Sequence, residues 1–317
     1  MRLNVALCRP AAIVVLLGST SLAAQAQTLT AAEILDDFNA VIINDFNTTS
    51  DVEGRLVAGV IQGGATFYNK PSAQSGTSAF QAVNAITISG CSSCNVDSGG
   101  SVNYVNSNGG HFNFNGGGKL QQNSPAFSMA AFTTPLNALA TSLTSLTANS
   151  TINASDPNNF TFNIKANSQG VAVFDVTASE LATARNLDFA NASSASAIII
   201  NVTGAAGYAF TQQFNFNDVT SNGWDLANHV IWNFENAGSL SLEQWQGAVL
   251  ASGATVSNSS PINGFLYAAN YNGNGELHDR PFLGSLSAPG PVAGSGLIPS
   301  ALAFGGLLFW RRRRASI

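Results

Sequence analysis

Two short stretches of this 317-residue chain, Gln246–Ala251 (QGAVLA) and Asn263–Ala268 (NGFLYA), place a glycine ahead of an apolar strand, and their glycines, Gly247 and Gly264, stand 17 positions apart. A third copy, Glu53–Ala58 (EGRLVA), lies far upstream. A strand-and-corner unit of this size cannot bury its apolar side alone, but it can when stacked on a like unit, and an interval of this length is about one turn of a small β-solenoid. The spacing therefore predicts a right-handed β-solenoid, with glycine at the corner and the residues after it packed inward. The polar segment SGATVSNSSP between the last two copies supplies the intervening turn.

The rest of the chain agrees with a mainly β fold. Short runs of Val, Ile, Phe and Thr bounded by Gly, Asn and Ser recur as GRLVAG, ATFY, AITISG, VNYV and HFNFNG, and later as FTFNIKA, GVAVFDVTA and HVIWNFENA. AIIINVTG is apolar on both sides and predicts a strand covered on both faces. Many short strands with frequent turns also suit a β-sandwich, which is the alternative fold. Two segments read as helix. AAEILDDFNAVIINDF follows a threonine cap and spaces Ile34, Leu35, Phe38 and Val41 along one face before passing into a strand. Between Pro125 and Asn149, Leu136, Leu139, Leu143 and Leu146 recur at helical spacing, which predicts one long amphipathic helix beginning near Thr134 with Pro135 in its first turn. Such a helix is readily laid along a solenoid.

The ends differ from the body. Residues 1–26 read as a secretory signal: Arg2 and Arg9, an apolar run from Ala11 to Gly18, and small residues Ala24 and Ala26 at the cleavage site. Residues 27–286 form the exported domain and residues 287–293 a Pro/Gly linker with Pro289 and Pro291. Residues 294–317 hold an uncharged stretch, Gly294 to Trp310, closed by Arg311, Arg312, Arg313 and Arg314. Seventeen helical residues reach about 25 Å, short for a permanent span. The arginines predict a cytoplasmic end, with the body outside and initially membrane-anchored.

All seventeen acids fall between Glu33 and Asp279, while six of the twelve Lys and Arg residues sit in the two end segments. The acidic body excludes nucleic acid as a partner, because it could not neutralise phosphates in number. With only 9% of residues charged, its polarity comes from Asn, Ser, Thr and Gln, as in extracellular surface proteins. Cys8 leaves with the signal, and Cys91 and Cys94 in SGCSSCNVDSGG are predicted to form a local disulfide in an exported protein.

No motif points to catalysis, and no cofactor or metal site is expected. Asp45, Asn47, Asp51 and Glu53 approach a calcium loop only loosely; the favoured reading has Asp51 closing a turn and Glu53 pairing with Arg55 or capping amides at a corner. His111, His229 and His278 lie far apart, and Trp224, Trp232 and Trp245 are spent singly rather than grouped as a sugar-binding cleft. Glu276, His278, Asp279 and Arg280 read as the loop closing the last coil, with Arg280 paired to an acid and Pro281-Phe282 plugging the end of the core.

Three blocks, FNAVIINDFNTTSDVEGRLVAG, HVIWNFENAGSLSLEQWQGAVLASGATV and INGFLYAANYNGNGELHDRPFLG, together resemble the choice-of-anchor A domain of bacterial surface proteins. The tail resembles a PEP-CTERM sorting signal, with Gly290 where that motif has glutamate. The resemblance implies a non-catalytic adhesin associated with a biofilm, with extracellular polysaccharide or matrix protein as partner and an exosortase-type enzyme acting on the tail. Ice binding, which also uses helix-flanked solenoids, is the alternative. It predicts a flat face with regularly spaced Thr-x-Thr rungs, which only FTFN and TIS approach. A secreted polysaccharide-acting enzyme is the third reading.

Overall fold

The computed structural model describes residues 29–72, 80–156, 158–217, 220–221 and 224–286. Its backbone is a parallel β-solenoid. Ten strands form one continuous ladder: β1 Ala40–Thr48, β2 Leu56–Gly63, β3 Val83–Ile88, β4 Val102–Asn108, β5 Leu120–Gln122, β6 Val171–Thr177, β7 Ala197–Thr203, β8 Val230–Phe234, β9 Ala248–Ser257 and β10 Leu266–Gly273. Their order across the sheet is β6-β7-β8-β9-β10-β1-β2-β3-β4-β5. The chain therefore starts in the middle of the ladder, coils outward to one end, crosses to the other, and coils back until β10 pairs with β1.

Each coil has three walls. On the first, the N-terminal part of each ladder strand alternates between the interior and a covering layer: Leu266 and Ala268 belong to the solenoid core, whereas Phe265 and Tyr267 pack in the helical layer outside. The strands then bend at register shifts, as between Ile42 and Asp45 in β1 and between Ala251 and Thr255 in β9, and their second parts form the second wall. The third wall is built of short segments, among them Thr66–Phe67, Cys94–Val96, Trp245–Gln246, Ile262–Asn263 and Leu277–His278, with Asn159–Asn163 and Asn186–Ala190 toward one end.

The glycine repeats occupy equivalent corners. Gly247 and Gly264 have φ of +109° and +146°, and a Cβ on Gly264 would meet the Gly247 carbonyl oxygen at 2.4 Å, so the stacked corners admit only glycine. The residues after the glycine do not all point inward, because a strand presents successive side chains to opposite sides and here both sides are dry. Ile198 and Ile200 of β7 likewise face the core, and Ile199 the helices.

Two helices cover the first wall. Helix α1 (Ala31–Asp37) is closed at its start by a capping box between Thr30 and Glu33. Helix α2 (Ala130–Thr144) lies between β5 and β6 in the chain. It begins at Ala130, four residues before the predicted start, so Pro135 stands inside the helix rather than in its first turn. Phe132 anchors it, with ring centroids 5.2 Å from Phe38 and 5.1 Å from Phe80. Asn201 and Asn233, buried on β7 and β8, donate to the helix carbonyls of Leu143 and Ala140 at 3.0 and 3.1 Å. Leu136 and Leu143 are buried, but Leu146 lies beyond the helix end and is exposed.

Aromatic rings fill the coils of the C-terminal half. Phe162 stacks on Phe189 at 4.8 Å, and Trp232 meets Trp245 edge-on at 4.9 Å. Two of the tryptophans read as isolated are thus packed together in the core.

Candidate functional site

Among the described residues, the second wall is left open by the helices and repeats from coil to coil. Its inward side chains, Leu240, Val256, Tyr271, Phe46, Ile61 and Ile88, are buried and fix the strands in register. On either side of this buried row runs an outward column. The first takes Ala209, Ser239, Thr255 and Asn270, then Asp45, Val60, Thr87 and Ser107. The second takes Ser241 and Ser257, then Asn272, Asn47 and Gln62. Rungs in such a ladder are about 4.8 Å apart.

Asp45 is the one charged side chain in these columns. Most of the rest are short hydroxyls and amides, and several bond to one another along the ladder: Asn47 to Asn272 at 3.1 Å, Asn270 to the Thr255 hydroxyl at 3.3 Å, and Gln62 to Asp45 at 3.3 Å. These bonds tie neighbouring rungs together along the wall. The half built by β9, β10 and the segment Ala237–Ser241 carries the smallest groups, with Thr255 at its centre. Of the two stretches that approach a threonine array in the sequence, Thr87-Ile88-Ser89 lies on this wall, whereas Thr161 of FTFN lies on the third.

The stretch Ser50–Phe67 is a scaffold corner. Asp45 and Asn47 project from the second wall and Asp51 and Glu53 from the third, so these four do not converge as a calcium loop. Asp51 accepts from the Asn69 amide at 2.9 Å. Glu53 accepts from Lys70 Nζ and from the Asp279 N–H, each at 3.0 Å, so it caps an amide as expected but pairs with Lys70 rather than Arg55. Arg55 is buried with its guanidinium 5.9 Å from the Phe38 ring centre.

The loop Glu276–Arg280 meets this corner. His278 Nε2 lies 2.7 Å from Glu276 Oε2 and 4.0 Å from Glu53 Oε1, and Nδ1 lies 2.7 Å from Asn263 Oδ1. The buried Asp279 accepts from the Ser72 N–H and hydroxyl at 2.7 and 2.9 Å, and burial pushes its carboxyl above the usual range. Arg280 is exposed. Phe282 packs in the helical layer, with its N–H bonded to the Leu35 carbonyl, rather than closing the end of the core.

Cys91 and Cys94 are joined as a disulfide, with Cα atoms 5.5 Å apart. His111 is exposed and its N–H donates to the Cys91 carbonyl; His229 stacks on Trp224 at 4.7 Å. Ala24, Ala26, Pro289, Pro291, Trp310 and Arg311 to Arg314 lie outside the described residues.

Residues 31–279 match the family model described as "Putative Ice-binding-like adhesive domain". No curated protein matches the chain in sequence. Among solved structures it is similar to an ice-binding protein from an Antarctic biological consortium, at 13% identity and a TM-score of 0.35 over 80% of this chain and 90% of that one. It is also similar to ice-binding proteins from the Antarctic ascomycete Antarctomyces psychrotrophicus (13% identity, TM-score 0.29, 77% and 97% covered) and from an Antarctic Flavobacteriaceae bacterium (10%, 0.31, 78% and 79%).

The family match corrects the resemblance to choice-of-anchor A and PEP-CTERM proteins. Among the described residues no helix is long and apolar enough to cross a membrane, and residues 294–317 lie outside them. Neither the fold nor the match supports membrane anchoring, an exosortase or a polysaccharide or matrix partner.

Proposed function

Because the chain belongs to the ice-binding-like adhesive domain family, a non-catalytic family of secreted or surface β-solenoids, we propose that it is an adhesive domain whose target is ice and whose contact surface is the second wall. One observation carries this reading: two parallel columns of small, almost uncharged side chains on either side of a buried row. A charge orders water around itself. Evenly spaced hydroxyls, methyls and short amides on a flat backbone instead hold first-shell waters in a repeating array, which suits a crystalline water surface.

Each rung contributes little, since a bridging water is nearly as good as a direct hydrogen bond but costs up to about 2 kcal/mol in immobilisation. The sum over rungs held rigidly in one plane is what favours attachment. The first wall is covered by helices, and the third carries the concentration of carboxylates, His278 and Lys70, so the second wall suits this contact best.

The test is partition into ice. Fluorescently labelled full-length protein is expected to be incorporated into a slowly grown ice crystal. Thr255→Tyr and Ser239→Tyr, which raise a bulky ring in the middle of the wall, are expected to be rejected into the liquid while remaining folded. Exclusion of the unmodified protein would overturn the reading.

A further inference from the structure

The third wall carries a second feature, at the joint where the two ends of the folded chain meet. Glu53 belongs to the first coil; Glu276 and His278 belong to the last. One ligand atom from each lies within 4.8 Å of the others. We propose that Glu53, Glu276 and His278 form a binding site for a divalent cation of the zinc class, which clips the first coil to the last. The ice-facing wall plays no part in it, so the two readings stand or fall separately.

The orientation of the imidazole carries the argument. Asn263 donates its amide N–H to the Trp245 carbonyl at 3.3 Å, which turns its Oδ1 toward His278. Nδ1 of His278, 2.7 Å from that oxygen, must then be the N–H donor. The opposite nitrogen, Nε2, is left to face Glu276 Oε2 at 2.7 Å and Glu53 Oε1 at 4.0 Å. A bare nitrogen lone pair cannot rest against two carboxylates; it needs a proton or a metal ion between them. A ligating histidine whose other nitrogen donates to a fixed acceptor is the ordinary arrangement at metal sites.

The ligand set fits. One imidazole and two carboxylates suit zinc, with bonds of about 2.0–2.2 Å, whereas calcium takes six or more oxygens. Tetrahedral ligands at those bond lengths sit about 3.3 Å apart, between the two separations measured from Nε2. The side chains of Glu276 and His278 are partly exposed, so an ion has an entry path and a water can complete its shell. Lys70 Nζ now sits on Glu53, but its side chain is 70% exposed and can swing away. Its ammonium competes with the ion for the same oxygen.

The backbone supports the site from behind. Asn39 donates to the His278 carbonyl at 3.0 Å, and the Asp279 N–H donates to Glu53 Oε2 at 3.0 Å, which leaves Oε1 for the ion.

The experiment is calorimetric titration of chelator-stripped full-length protein with zinc ion, paired with thermal unfolding with and without zinc. The expected result is one ion per chain and a raised unfolding temperature. His278→Ala and Glu276→Gln should each abolish the one-to-one binding. Asn263→Ala, which frees the ring, should weaken it about 10- to 100-fold, and Lys70→Ala should tighten it. Circular dichroism checks that the variants fold; should His278→Ala not fold, Glu276→Gln at a more exposed position decides. Absence of one-to-one binding, or binding unchanged in His278→Ala and Glu276→Gln, would overturn the proposal.

Discussion

The side-chain amide of Asn39 donates to the backbone carbonyl of His278, 239 positions later, at 3.0 Å. The same nitrogen lies 3.3 Å from the Gly264 carbonyl, and Asn39 Oδ1 accepts from the Gly54 N–H at 3.1 Å. One buried amide thus serves three coils at the point where β1 is inserted between β10 and β2. Asn39→Leu strips these partners, and each buried group left unsatisfied costs about 1–3 kcal/mol. Denaturant unfolding of the full chain should show a loss on the order of 3 kcal/mol. A loss below about 1 kcal/mol would mean that water or a shift of the backbone replaces the amide.

At Gly264, φ is +146° and an added Cβ would lie 2.4 Å from the Gly247 carbonyl oxygen. Gly264→Ala is expected to cost more than about 2 kcal/mol, through backbone strain and displacement of the neighbouring coil. Gly90→Ala, at a site with nothing within 4 Å of the new atom, should stay within about 0.5 kcal/mol of the unmodified protein. Paired unfolding curves test the contrast.

Phe132 packs helix α2 against Phe38 and Phe80. Truncation to alanine at a fully buried phenylalanine costs about 3–5 kcal/mol. Phe132→Ala should lose that much stability and speed amide hydrogen exchange in residues 130–144 more than in β9 and β10. Equal acceleration everywhere would show that the helix and solenoid unfold as one unit.

Tyr267, on β10, donates its hydroxyl to Asn137 of α2 at 2.9 Å, and burial pushes its phenol up to about 12. The folded state holds this proton more tightly than the unfolded chain, whose tyrosine has the ordinary value of 10.0. Its contribution is therefore complete below about pH 10 and is lost as pH rises through about 12. Tyr267→Phe should lower stability at neutral pH by about 1 kcal/mol and flatten the alkaline decline. Unfolding midpoints across that range provide the check.

The solenoid was legible because its corners are chemically demanding. Only glycine fits where Gly264 stacks on Gly247, so that recurrence left a mark in the sequence, and the buried β7 announced its two dry sides by composition. The insertion of β1 beside β10 was not legible, since nothing local in Ala40–Ile42 names Leu266–Ala268 as its neighbour. The columns of the second wall were hidden for the same reason. Thr255 stands beside Ser239 and Asn270 through strand pairing, so a regular array in space is scattered in sequence. The start of α2 is not legible from Pro135, which by itself marks a first turn, because the packing of Phe132 carries the helix back to Ala130. The Glu53–His278 joint was half visible: both ends were singled out for their charge, but their meeting depends on the closure of the ladder.

The central claim is that the second wall binds ice, and thermal hysteresis with crystal-shape observation tests it most directly. The unmodified full-length protein is predicted to depress the freezing point below the melting point and to facet a growing crystal. Thr255→Tyr should abolish most of this hysteresis, with unchanged unfolding. No hysteresis and no faceting by the unmodified protein, or full activity in Thr255→Tyr, would contradict the account.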